Sequence, residues 1–262
     1  MEKSNIDEKI KLLTGNGMWH TQEVEGLPSV HLSDGPHGLR KQEEKERQNN
    51  VSLVSTCYPT ASALACSWDV TAAERLGRAV AKEAWNADVA VLLGPGINMK
   101  RSPLCGRNFE YFSEDPFLTG RLGAAYVSAA QGENVAVSLK HFAANNQETN
   151  RQTANSQIDE RALREIYLSA FEYVVKTARP ATIMASYNRL NGYYACENRH
   201  LLTEILREEW GYDGLVVTDW GAANDRVKGL IAGQDLEMPS SGTVNDSKVE
   251  AAVKDGSLPV EY

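Results

Sequence analysis

Short apolar runs, many of them rich in Val, Ile and Leu, recur along the chain, and most lead into a longer amphipathic stretch. Strands alternating with helices of 10–20 residues form βα units on a parallel sheet. Strands are predicted at Ser29–Leu32, Ala61–Ala65, Val89–Leu93, Ala136–Leu139, Thr182–Ser186, Leu215–Thr218 and Gln234–Glu237. Helices are predicted at Asn5–Leu13, Asp69–Trp85, Pro116–Gln131, Glu160–Ala178, Arg199–Glu209, Ala222–Gly233 and Asp246–Asp255. Asp69, Asp159 and Asn198 stand where helix N-caps belong. The strand runs are short and almost wholly apolar, as when both faces of a parallel sheet are covered. A barrel of eight such units needs about 250 residues, and the chain has 262. The expected fold is therefore a TIM-like (β/α)8 barrel, a single domain over residues 1–262, with room for it to be incomplete at the C-terminal end.

Two segments interrupt the alternation. Lys41–Asn50 is charged and polar and reads as a solvated insertion. Arg101–Asp115 is long and mixes polar with aromatic residues, and long loops in compact domains often carry function.

Chemistry-bearing residues follow the apolar runs. Leu32 leads into Ser33–Asp34–Gly35, Leu93 into Gly94–Pro95–Gly96–Ile97–Asn98, and Leu139 into Lys140–His141. Ala185 leads into Ser186–Tyr187–Asn188, Val217 into Thr218–Asp219–Trp220, and Leu236 into Glu237–Met238. The C-terminal strand ends of a parallel barrel converge on one site. Carboxylates, cations and aromatics gathered there suit a sugar, whose hydroxyls take charge-assisted hydrogen bonds. Glycoside hydrolysis needs two carboxyl groups, one to attack or activate water and one to protonate the leaving oxygen. Asp219 is the candidate nucleophile, with Lys140, Arg107 and His141 expected to hold its pKa low. Taken singly, Asp219 also fits a helix cap, Lys140–His141 a salt-bridging pair, and Asp34 a turn anchor. Lys140 as a Schiff-base nucleophile of an aldolase is a further alternative. His20, His31, His37 and His200 show no ligand spacing and read as structural or surface residues.

Other classes are disfavoured. A net charge of -8 and a pI near 5.3 argue against nucleic acid. No GxGxxG, Walker, HExxH or GxSxG motif occurs, and no metal-ligand set. The four cysteines form no C-x-x-C pair and are expected to be reduced core thiols. No signal-peptide core or membrane-length apolar run occurs, so a cytoplasmic protein is expected.

The strings SDGPHGLR, GPGINMKRSPLCGRNFEYFSEDP, SLKHFAANNQETNR, IMASYNRLNG, GLVVTDWGA and AGQDLEMP resemble the β-glucosidase branch of glycoside hydrolase family 3, from about residue 6 to the end. The resemblance implies a retaining, two-step mechanism with Asp219 as nucleophile and no cofactor. It implies sugar contacts from Asp34, Arg40, Arg107, Lys140, His141, Arg151, Met184, Tyr187 and Trp220, with Tyr187 close to Asp219. The family's β-N-acetylglucosaminidases carry their acid in a pattern like K-H-F-P-G-H-G, where this chain reads KHFAANNQETNR. In the glucosidase branch the acid/base is a glutamate on a second α/β domain, expected to be absent from this chain; Glu110, Glu114, Glu148 and Glu237 of the barrel read as structural salt-bridge residues and not as that acid. The expected partners are a small oligosaccharide or glycoside, and either that second domain or another copy of the chain. Weak turnover by the barrel alone is expected, with a non-catalytic sugar-binding fragment as the alternative.

Overall fold

The computed structural model describes residues 6–42 and 51–261. Most of the Lys41–Asn50 insertion lies outside the described residues. So does Asn5 of the first predicted helix.

The chain opens with α1 (Ile6–Leu12), then the hairpin β1 (Gly15–Asn16) and β2 (His20–Thr21). Next come β3 (Leu32–Asp34), α2 (Ala61–Ala65), α3 (Val70–Asn86) and β4 (Val91–Leu93). A loop with a 3₁₀ turn at Asn108–Glu110 leads to α4 (Pro116–Gln131) and β5 (Ala136–Phe142). Then follow β6 (Asn155–Ser156), α5 (Glu160–Ala162), a π-helical turn at Leu163–Tyr167 and α6 (Ser169–Ala178). After β7 (Thr182–Ala185), β8 (Arg189–Leu190) and β9 (Tyr193–Tyr194) comes a π-helical segment, His200–Glu209. β10 (Leu215–Thr218), α7 (Arg226–Ala232) and α8 (Val244–Asp255) complete the described chain.

Five strands form one sheet in the order β3-β4-β5-β7-β10, all parallel. Leu236 pairs with Val217 to extend it, and Glu237 pairs with Thr14, both in parallel sense. Thr14 runs into β1, β1 pairs with β2, and His20 of β2 bridges His31 just before β3. The wall thus returns to its start as a TIM-like barrel. The sequence pattern left the last part of the barrel open, and the N-terminal hairpin fills it.

Period-two alternation sorts the strand residues. Leu32, Val91, Leu93, Met184, Val217, Leu236 and Met238 form an inner cluster. Leu92, Val137, Leu139, Ile183, Ala185 and Val216 belong to the main core beneath the helices. Asp34, Lys140, Met184 and Asp219 have the inward parity of their strands. Each therefore faces inward at or near the C-terminal end of its strand, toward the barrel mouth.

Helix starts follow their caps. Asp69, Asp159 and Asn198 accept from the backbone N–H of Thr71, Ala162 and Leu201 at 2.8, 2.9 and 3.1 Å. Pro116 sits in the first turn of α4, where its missing N–H costs nothing. The predicted helix at Ala222–Gly233 begins only at Arg226, because Asp225 caps it there.

Ala61–Ala65 is a correction: it is a helix, not a strand. A run of five apolar and small residues does not distinguish the two by period. Thr60 decides it, its hydroxyl accepting from Ala63 N at 3.2 Å, and alanine favours the helix. The cysteines also differ in part from expectation. All four are free, and Cys105 and Cys196 are buried, but Cys57 and Cys66 are exposed. No helix among the described residues is long and apolar enough to cross a membrane.

Candidate active site

A cavity of about 470 Å³ opens at the C-terminal ends of the strands. Asp34, Arg40, Arg107, Lys140, His141, Arg151, Met184, Tyr187, Asp219 and Trp220 all line it. The sequence places these ten residues across 187 positions, and the barrel brings every one to the same mouth.

Asp219 stands just past β10 and is buried. Its Oδ1 accepts from the Trp220 backbone N–H at 2.8 Å. Its Oδ2 has no hydrogen-bond partner. Arg107 Nη1 lies 3.9 Å from Oδ2 and His141 Nε2 3.7 Å. One carboxylate oxygen is thus fixed and the other left available, the arrangement an attacking group requires.

The expectation that cations hold the Asp219 pKa low is corrected. Burial raises it and outweighs the lowering by Arg107 and Lys140.

His141 is buried, and its pKa is driven well below the usual imidazole value by burial, then by Arg107, Lys140 and Arg151. The ring is neutral, and its tautomer follows from its partners. Arg107 Nη2 lies 2.7 Å from Nε2 and can only donate, so Nε2 accepts. The proton then sits on Nδ1, which donates to the Tyr111 hydroxyl at 3.0 Å. The contact with Asp219 is therefore not an ion pair. Asn98 fixes the backbone of His141, accepting from its N–H at 2.7 Å and donating to its carbonyl at 2.8 Å.

Lys140 is buried between two carboxylates, 3.8 Å from Asp34 Oδ1 and 3.7 Å from Glu110 Oε2. Arg40 lies at the rim, 3.8 Å from Asp34 Oδ2. Arg151 pairs with Glu148 at 2.9 Å and stacks 4.7 Å from the Tyr187 ring centroid. The Tyr187 hydroxyl donates to the Trp220 carbonyl at 3.0 Å. Its own pKa is raised by burial and by the charge of Asp219.

Sequence reasoning missed several lining residues. Glu110, read as a structural salt-bridge residue, lines the cavity and is hydrogen-bonded by Arg107 Nε. Burial raises its pKa, but Lys140 and Arg107 outweigh that and hold it below the usual value. It is therefore charged, and no proton donor at neutral pH. His37, read as structural or surface, lines the mouth with Phe109, their rings 5.6 Å apart and edge to face. Its place three residues after Asp34 was the available signal. Trp19 also lines the cavity and had no such signal, since no predicted strand leads into it. By contrast His31 is structural as expected: it pairs with His20 at 3.0 Å, and burial lowers its pKa to about 4.

A parallel barrel with carboxylates, cations and aromatics converging at its mouth defines a class of barrel proteins with a polar, sugar-sized site. The chain belongs to glycosyl hydrolase family 3: that family's N terminal domain matches residues 36–262. It is 54% identical over 262 residues to thermostable beta-glucosidase B of Acetivibrio thermocellus, covering 98% of this chain and 35% of that protein. It is 50% identical over 258 residues to an exo-alpha-(1->6)-L-arabinopyranosidase of Bifidobacterium longum, covering 97% of this chain and 34% of that protein. The solved structure of beta-glucosidase 3B from Thermotoga neapolitana in complex with glucose superposes with a TM-score of 0.92 at 40% identity, covering 98% of this chain and 39% of that one. The chain thus spans about a third of the length of these curated relatives.

Proposed function

We propose that this chain is the nucleophile-bearing barrel of a retaining β-glycosidase that acts on terminal β-linked glucosides. The carrying observation is the buried Asp219 Oδ2, unpartnered and facing a cavity lined with cations. In the first step Oδ2 attacks the anomeric carbon, and the bond to the leaving oxygen breaks as a covalent glycosyl-enzyme forms. Arg107 and Lys140 oppose the effect of burial on Asp219 and so favour its ionised, attacking form. Asp34, Lys140 and Arg151 take the ring hydroxyls. Neutral His141 offers no second positive charge and accepts from a hydroxyl once Arg107 turns toward the sugar.

The proton for the leaving oxygen comes from elsewhere. Among the described residues the other carboxyls lining the cavity are Asp34 and Glu110, and both lie within 4 Å of Lys140. We assign the acid to a carboxyl outside this barrel, in a second domain of the full-length enzyme. A proton donor contributes about 10²–10⁴ in rate. The chain alone should therefore react with a dinitrophenyl glucoside, whose leaving group needs no protonation, and hardly with cellobiose. Brisk cellobiose hydrolysis would sink that assignment.

The direct test is intact mass spectrometry after incubation with 2,4-dinitrophenyl 2-deoxy-2-fluoro-β-glucoside, with Asp219→Ala beside it. One covalent adduct, absent from the variant, supports the reading. No adduct at any dose favours a non-catalytic sugar-binding barrel. The Bifidobacterium longum relative's name makes an α-L-arabinopyranoside the comparison substrate. That sugar lacks the hydroxymethyl group of glucose and has the opposite configuration at C4, so its rate relative to the glucoside reads both differences together; a β-xyloside, which lacks only the hydroxymethyl group, reads that group alone.

A further inference from the structure

We infer that Trp19, on the N-terminal hairpin, is a specificity-determining positioning residue that holds the Trp220 wall of the sugar site. This inference rests on the glycosidase reading and deepens it. The family match begins at residue 36, so the hairpin lies outside it.

Three contacts carry the argument. The Trp19 and Trp220 rings meet with centroids 5.2 Å apart and planes tilted by 37°. The Trp220 indole N–H donates to the carbonyl of Met18, the preceding hairpin residue, at 2.8 Å. Trp19 is itself tethered, its indole N–H donating to Gln42 Oε1 at 3.0 Å. The Trp220 side chain is thus clasped by two consecutive hairpin residues some 200 positions away in sequence.

The main chain of Trp220 is tied separately. Its N–H holds Asp219 Oδ1 and its carbonyl holds the Tyr187 hydroxyl. Side chain and backbone therefore do different things. The backbone orients the nucleophile. The indole, placed by Trp19, sets the apolar wall that the sugar face meets. Trp19 is half-buried and lines the same cavity, so it also limits how far the sugar can shift along that wall. A plug serving only the inner cluster would have no need of an indole at the cavity surface.

The division predicts a division in kinetics. Trp19→Ala should raise the inhibition constant for the fluoroglucoside by about 3- to 10-fold, the size of one aromatic pair. The maximal rate of covalent labelling should change by less than about twofold, since the contacts to Asp219 are untouched. Trp19→Phe should recover most of the binding. Urea melts of both variants identify any loss caused by unfolding, and calorimetry with glucose gives binding without chemistry. Unchanged binding in Trp19→Ala, or a fall in labelling rate alone, overturns this inference while the glycosidase reading stands. Wild-type chain that neither labels nor binds glucose overturns the glycosidase reading, and the inference with it.

Discussion

Asp219 and Glu110 are both buried carboxylates at the same mouth, yet their surroundings shift them in opposite directions. Burial raises the Asp219 pKa, so the folded chain carries a penalty for the charge above that pKa, relieved as pH falls through it. Asp219→Asn should abolish labelling yet raise stability at pH 7 by about 1 kcal/mol, read from urea melts, because it removes a buried charge whose Oδ2 has no hydrogen bond and whose burial outweighs its attraction to Arg107. Glu110 is the reverse case. Its pKa is lowered from 4.5, so its stabilisation is present above pH 4.5 and is lost as pH falls through the lower folded value. Glu110→Gln leaves Arg107 and Lys140 short of a counter-charge and should cost about 3–5 kcal/mol at neutral pH. The variant should also lose part of the wild-type acid dependence; parallel stability curves below pH 4.5 for the two proteins would contradict the ion-pair account. The candidates at strand ends were legible because each follows an apolar run. The direction of the Asp219 shift was not, since it depends on how completely Arg107 and Lys140 are outweighed by burial. The role of Glu110 was legible as a salt bridge, but its place in the cavity depended on how the loop before α4 folds back.

Between elements, two close contacts govern how the barrel is assembled. On α3, a Cβ added to Gly77 would lie 2.5 Å from the Tyr126 carbonyl of α4. Gly77→Val should therefore push the two helices apart and destabilise the chain by about 1–3 kcal/mol, measurable as a lower denaturant midpoint. At the seam where the N-terminal segment meets the last stave, Arg226 of α7 is wholly buried. It donates to the Leu13 carbonyl at 3.1 Å, the Asp235 carbonyl at 2.6 Å and Gln234 Oε1 at 2.6 Å. Its Nε lies 3.7 Å from Glu237 Oε2. Arg226→Leu strands the Glu237 carboxylate and should cost about 3–5 kcal/mol. Hydrogen exchange should then quicken first at Gly15 and Glu237, whose amides bond across the seam to Glu237 and Leu13. The helix starts were legible from their caps. The seam was not, because it joins Thr14 to Glu237, far apart in the chain, through one or two pairs with no periodic signal.

At the scale of the whole molecule, large apolar side chains stand in solvent. Leu104 is 91% exposed, Trp68 77% and Phe117 68%. Among the described residues near the C-terminal end, Val244 and Val260 are exposed, while Leu258 is buried. A contiguous patch of such side chains favours association, whereas single ones are ordinary; a scattering mass that rises with concentration would show that they act as a patch, and a fixed monomer mass that they stand singly. The sequence by itself determined the βα alternation, the inward parity of the strand residues and the identity of ten residues lining one mouth. Asp34, Lys140, His141, Tyr187, Asp219 and Trp220 were local facts, residues standing just past an apolar run, whereas Arg40, Arg107, Arg151 and Met184 came from the motifs that resemble the family. Tertiary structure alone decided that the N-terminal hairpin closes the barrel and clasps Trp220. It also decided that His141 is neutral with its proton on Nδ1, and that burial outweighs the cations at Asp219. Those outcomes depend on distances between residues far apart in the chain and on how much water the fold excludes around them.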